Sequence, residues 1–207
     1  AYQSYKGSPV LRTAFAEWYR QWYGVSLDPD AEILPLIGSK EGIMHICMTY
    51  IDEGDEVWIP NPGYPTYQSA ASLAGARCRT YDLKEENDWL PDLAVMQAEI
   101  SHGAKPRLMF VNYPHMPTGR LPEQDLLEQL VAFAKKNDIL LVHDNPYSFI
   151  LNDKPVSLLA VEGAKDVAIE LNSLSKSHNL AGWRVGVLCG AKERIDDVLR
   201  FKSNMDS

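Results

Sequence analysis

The sequence is short of positive charge: its 207 residues carry 20 Lys+Arg against 28 Asp+Glu, a formal net charge of −8. Nucleic acids and anionic membrane surfaces are bound through clustered cations, so this balance argues against both as partners. Cysteine is also scarce. Cys47, Cys78 and Cys189 are odd in number, far apart and set among apolar or strand-like neighbours, and they read as buried free thiols in a reducing compartment rather than a disulfide framework or metal site. No apolar run approaches the ~18–20 residues of a membrane span, and no basic segment leads into an apolar one as a secretion signal does. A cytoplasmic location is therefore expected. Gly-x-x-x-x-Gly-Lys-Ser/Thr, Gly-x-Gly-x-x-Gly and Gly-x-Ser-x-Gly are absent, and His45, His102, His115, His143 and His178 include no His-x-x-x-His pair. Kinase, serine hydrolase and metal hydrolase readings are accordingly poor, and no metal is expected.

With 45% hydrophobic and 23% charged residues, the chain has the composition of an ordinary globular protein, and its length suits one domain. A helix is expected from about Ser8 to Tyr23: Ser8 suits the cap, Pro9 the first turn and Gly24 the end, with Leu11, Phe15, Trp18 and Trp22 at helical spacing as core packing. Strands are expected over Ile33–Ile37, Glu56–Ile59, Arg77–Leu83, Arg107–Asn112, Ile139–His143, Val167–Asn172 and Arg184–Cys189. Amphipathic stretches lie between several of them, including Lys40–Tyr50 and Glu123–Lys136, where Leu126, Leu127, Leu130 and Phe133 share a face. This alternation predicts an α/β fold: three layers, α/β/α, around a mostly parallel sheet of about seven strands.

In open α/β sheets ligands bind beyond the carboxyl ends of the strands. Polar or Gly/Pro-rich segments follow the strands there: Gly38-Ser39-Lys40, Pro60 to Pro65, Asn112 to Gly119, His143 to Tyr147 and Asn172 to Lys176. His115 and His143 fall near this crevice; the other histidines read as structural or solvated. Gly38-Ser39-Lys40 opening a helix offers free amides, a hydroxyl and a helix-dipole end to a phosphate, although taken alone it reads first as a plain capped start. Lys176, between small polar residues, is a candidate for a Schiff base, with Ser173 and Arg184 able to hold an anion beside it; a solvated Lys and a surface Arg fit the same segment. Asp144 could pair with a cationic ring nitrogen and Tyr147 with a phenolate oxygen, or the two could be a turn-capping Asp and a half-buried Tyr.

Taken together and in order, Gly38-Ser39-Lys40, Pro62-Gly63-Tyr64-Pro65, Pro117-Thr118-Gly119, Asp144 with Tyr147, and Ser173-x-x-Lys176 with Arg184 and Gly186 resemble the class I/II aminotransferases of pyridoxal 5′-phosphate (PLP) fold type I. The resemblance runs from Tyr2 to about Gly190. It implies that Lys176 carries PLP and, once released by the substrate amine, moves a proton; that Asp144 keeps the pyridine nitrogen protonated; that Tyr147 meets the cofactor O3′ and Tyr64 stacks on the ring; and that Gly38, Ser39, Lys40, Ser173 and Arg184 hold the phosphate. It also implies that Tyr2 reaches the phosphate of a neighbouring subunit, making the working unit a homodimer. Amino-acid and 2-oxo-acid substrates follow.

One position departs from the family pattern. Where relatives read His-Asn-Pro-Thr-Gly, this chain reads His115-Met116-Pro117-Thr118-Gly119, and a thioether cannot donate a hydrogen bond to O3′. The Lys176–cofactor linkage is expected to titrate higher for that reason, unless Asn112, four residues earlier, compensates. A C–S β-lyase on the same scaffold, or a PLP-binding domain inactive on its own, are the alternatives to a transaminase. Nothing after Gly190 resembles the family's small domain, and Arg194 and Arg200 are expected to face solvent. Residues 1–207 are thus expected to be the large PLP-binding domain of a longer enzyme, lacking an N-terminal segment and the small domain, and slow or inactive in isolation. The Gly-Ser-Lys, Pro-Gly-Tyr-Pro-x-Tyr and Asn-Tyr-Pro variants resemble the branch of diaminopimelate-type and broad-specificity aminotransferases more than the aspartate branch.

Overall fold

The computed structural model describes residues 4–205. All the expected strands form: β1 (Ile33–Leu36), β2 (Glu56–Asn61), β3 (Arg77–Asp82), β4 (Pro106–Asn112), β5 (Leu140–Asp144), β6 (Ala168–Ser173) and β7 (Gly186–Gly190). They build one seven-stranded sheet in the order β1-β7-β6-β5-β4-β2-β3. Neighbours pair parallel except at β7, which runs antiparallel to both β1 and β6. Pairing moves the expected strand ends slightly, and two of these shifts bear on candidate site residues. Asp144 completes β5 opposite Asn112 of β4 instead of following the strand, and Arg184 lies outside β7, in a left-handed conformation (φ +54°) after the turn Ala181–Trp183.

Helices cover both faces. On one lie α1 (Pro9–Tyr23), α4 (Leu93–Ser101), α5 (Gln124–Asn137) and the short α6 (Ala164–Val167); on the other lie α2 (Ser39–Tyr50), α3 (Pro65–Leu73) and α8 (Lys192–Lys202), while the single turn α7 (Leu174–Ser177) sits at the sheet edge. Leu126, Leu127, Leu130 and Phe133 of α5 are all buried against the sheet, as their spacing predicts. On α1 the buried stripe is Phe15, Tyr19 and Tyr23, rotated from the expected one, and Trp22 is half exposed. The cause is polar: the Tyr19 hydroxyl donates to Glu170 at 2.8 Å and Asn172 Nδ2 donates to the Tyr23 hydroxyl at 3.0 Å, so the phenols meet a buried acceptor and a buried donor, the second of which an indole could not satisfy. Ser8 occupies the cap position without a side-chain cap bond, while Pro9 opens the helix and Gly24 closes it at φ +67°.

Arg194 also departs from its expected place. It is half-buried, with its guanidinium 5.4 Å from the centre of the Tyr50 ring, whereas Arg200 is exposed. Cys47 and Cys189 are buried free thiols and Cys78 is a partly exposed one. Among the described residues no helix is long and apolar enough to cross a membrane.

Candidate active site

The parallel strands β4, β5 and β6 end side by side, and the loops leaving them, with those after β1 and β2, enclose a cavity of about 210 Å³. Ten of the expected residues line it: Ser39, Lys40, Tyr64, Asn112, Met116, Asp144, Tyr147, Ser173, Lys176 and Arg184. Gly38 stands directly behind. Tyr2 lies outside the described residues.

The reversed β7 completes one end of the cavity. Because it runs against β1 and β6, its first residue, Gly186, pairs with both Leu36 and Ser173, at the edge where the parallel strands finish. Arg184 therefore enters next to the N-terminus of α2. The contact is close enough to exclude side chains. A Cβ on Gly38, already at φ +81°, would lie 2.2 Å from Arg184 Nη2, and one on Gly186 would lie 2.6 Å from the Ser39 backbone nitrogen. The first-turn amides of α2, the Ser39 hydroxyl, the Lys40 ammonium and the Arg184 guanidinium thus face one small volume. Arg184 Nη1 donates to the Ala181 carbonyl at 3.0 Å, which aims the side chain. Ser173 accepts from the Ser175 amide at 3.2 Å and so caps the turn that carries Lys176. Lys176 itself is exposed at the cavity rim.

Asp144 lies at the other end. It is buried; its Oδ2 accepts from the Tyr67 hydroxyl at 2.7 Å, and its Oδ1 has no partner among the described residues. Burial raises its pKa to about 6, against the lowering effects of the Tyr67 hydrogen bond and of His143. Burial and the nearby Asp144 carboxylate push the Tyr147 phenol up in turn, so it stays protonated as a donor at neutral pH. Asn112 is a brace: its Nδ2 donates to the Asp144 carbonyl at 2.8 Å and its Oδ1 accepts from the Met116 amide at 2.9 Å, locking the strand end to the loop that presents the Met116 thioether.

The sequence alone gives Tyr67 no role. The spacing Tyr64-x-x-Tyr67 places both on one side of α3, and Tyr67 stacks on Phe110 at 4.7 Å and meets Tyr64 edge-on at 5.7 Å, but its pairing with Asp144 spans 77 residues and leaves no local signal. The two histidines near the crevice are turned away from it. His115 bonds Thr118 Oγ1 at 2.8 Å and the Pro62 carbonyl at 3.1 Å, and burial lowers its pKa. His143 points through the opposite face of the sheet to Glu170 and the Tyr113 carbonyl, both at 2.8 Å.

Residues 1–207 match the family model described as aminotransferase class I and II. The chain is 47% identical over 208 residues to an LL-diaminopimelate aminotransferase of Dehalococcoides mccartyi and 43% identical over 208 residues to one of Aquifex aeolicus, covering all of this chain and 53% of each relative. The substrate-bound structure of BacF from Bacillus subtilis superposes with a TM-score of 0.94 at 37% identity, covering 100% of this chain and 52% of that one. A probable N-succinyldiaminopimelate aminotransferase from Thermus thermophilus gives 0.89 at 37% identity, covering 99% and 55%. The chain therefore spans about half the length of the relatives it matches. It belongs to the class I and II aminotransferase family.

Proposed function

We propose that this chain is the PLP-binding domain of an aminotransferase that moves an amino group between an amino acid and a 2-oxo acid. One observation carries the reading: a single cavity has an unpaired buried carboxylate oxygen at one end and a cationic, hydroxyl- and amide-rich cradle at the other, with a lysine at its rim. The chemistry of the two ends fits PLP. Asp144 Oδ1 lacks a donor, which a protonated pyridine nitrogen supplies, and the Gly38–Arg184 contact leaves a cradle suited to a phosphate dianion. When bound, PLP offers a carbonyl carbon to amines and a ring that draws electrons from the substrate Cα.

The protein's part is to hold, orient and move protons. Asp144 keeps a proton on the ring nitrogen. Tyr147 donates to the phenolic oxygen, and Tyr64 supplies a flat wall for the ring. Ser39, Lys40, Ser173 and Arg184 bind the phosphate, with the helix dipole of α2 adding to the attraction. The Lys176 amine carries the cofactor and, when freed, shuttles the proton at the substrate Cα. The names of the relatives support LL-diaminopimelate as the amino donor, and the covered half of their length supports a second domain that completes the substrate site. A homodimer working in the cytoplasm rests on the family resemblance and on the free thiols.

Borohydride reduction of the PLP-loaded protein followed by peptide mass spectrometry tests this. A pyridoxyl label on Lys176 is expected; label elsewhere, or none, overturns the cofactor assignment. Amino transfer from LL-diaminopimelate by the full-length enzyme is expected to exceed pyruvate release from cysteine conjugates, and the reverse would favour a β-lyase.

A further inference from the structure

The turn that forms the anion cradle has little holding it from its own side chains. Strand β1 ends at Leu36; Ile37 is 56% exposed, and Gly38 has no side chain. What holds the turn is Glu41, one turn into α2. Its Oε2 accepts the backbone N–H of Ile37, the residue before the cradle glycine. Its Oε1 accepts from His45 Nε2 at 2.8 Å and lies 3.5 Å from Lys202 Nζ. These partners are fixed in turn. His45 and Lys202 are buried, and the His45 ring packs edge-on against Phe201 at 5.5 Å. His45 Nδ1 makes no hydrogen bond among the described residues, so that ring's polar contact is spent on Glu41. Burial pushes the Glu41 carboxyl up, yet the His45 and Ile37 hydrogen bonds and the Lys202 charge outweigh it and hold the group below its ordinary value.

The arrangement differs from a usual helix cap. A carboxylate at this position ordinarily reaches back to the backbone N–H of the N-cap residue, while the N-cap side chain takes a first-turn amide. Here it takes the amide one residue earlier, and Gly38 contributes no cap bond, so the first-turn amides of α2 stay open to a ligand. From the opposite side the turn is pressed by Arg184 and Gly186. The Ile37–Gly38 backbone is thus clamped between Glu41 and Arg184.

We infer that Glu41 is a positioning residue for the phosphate-binding turn, and that its carboxylate, set by His45 and Lys202, ties that turn to the end of α8. The inference rests on the PLP reading above. It states that the effect of Glu41 is specific to the phosphate end of the ligand, since Glu41 touches the cradle backbone and not the Asp144 end.

The test uses full-length apoenzyme titrated with two probes, pyridoxal 5′-phosphate and phosphate-free pyridoxal, by absorbance. In Glu41→Ala the affinity for pyridoxal 5′-phosphate is expected to fall about tenfold, the scale of one hydrogen bond to a charged group, while pyridoxal affinity holds within about twofold. Glu41→Gln, whose amide oxygen still accepts the Ile37 N–H, is expected to restore most of the loss. Lys202→Met removes one fixing charge without touching the cradle, and is expected to cost about threefold for the phosphorylated probe alone. It decides the question if Glu41→Ala does not fold. Equal losses for both probes, or unchanged affinity for the phosphorylated one, would overturn the inference. A wild-type protein that binds neither probe would instead remove the PLP reading, and this inference with it.

Discussion

Asp144 is costly to keep ionised without a cationic partner, and the cost sets a testable pH dependence. Its carboxyl titrates at about 6 in the folded chain against 3.8 in its unperturbed state, because burial outweighs the Tyr67 hydrogen bond. Between those pH values the unfolded chain has released the proton that the folded chain still holds. Folding therefore binds protons, and stability falls as pH rises, by about 1.4 kcal/mol per pH unit. The loss begins near pH 4, levels off above about pH 6 and amounts to about 3 kcal/mol. Asp144→Asn keeps an acceptor for the Tyr67 hydroxyl and cannot ionise. Urea denaturation of the wild-type and Asp144→Asn apoproteins from pH 4 to pH 8 isolates this group together with its coupling to His143, because titrations that do not interact with Asp144 cancel in the difference. The variant should gain on the wild type across that window and be the more stable by about 3 kcal/mol at pH 8. With PLP present the order should reverse, since the ring nitrogen then pairs with the carboxylate. A difference that does not change with pH, or an apo variant less stable than wild type at pH 8, would refute the reasoning.

Gly38→Ala places a Cβ 2.2 Å from Arg184 Nη2 at a φ of +81°; the guanidinium can swing aside, so the expected result is a stability loss of about 1–2 kcal/mol with a larger fall in PLP affinity, read by titration. Met116→Asn puts an amide where a thioether now lines the cavity, and the absorbance change of the Lys176-bound cofactor is expected to move to lower pH; no downward shift would count against the role given to Met116. Glu170 is a buried acceptor for Tyr19, His143, Ser157 and the Leu158 amide, so Glu170→Ala strands four donors and should cost about 3–5 kcal/mol in urea denaturation, with a loss under about 1 kcal/mol contradicting the account.

Much of this protein is legible in its sequence, for a local reason. A strand buried on both faces is a short unbroken apolar run, as in Leu140-Leu141-Val142 or Leu108-Met109-Phe110-Val111, and a covering helix shows its stripe, as α5 does. The candidate site residues are visible because each sits at or just beyond the end of such a run, in polar or Gly/Pro-rich company that a buried strand end does not otherwise need. Lys176, Asp144, Tyr147 and the Gly38-Ser39-Lys40 turn could be read from sequence order alone.

What the order could not supply were relations across the sheet. Nothing local in Gly186–Gly190 says that this strand runs backwards, yet that reversal is what brings Arg184 to Gly38. The stripe on α1 turns toward Tyr19 and Tyr23 because Glu170, some 150 residues later, takes a donor there and Asn172 an acceptor. Tyr67 meets Asp144 across 77 residues, and Glu41 meets Lys202 from the far end of the chain. Hydrophobic periodicity is a property of neighbours along the chain and survives in the sequence by itself. A hydrogen bond or a close backbone approach between distant strands depends on register and direction, which exist only once the tertiary structure has formed.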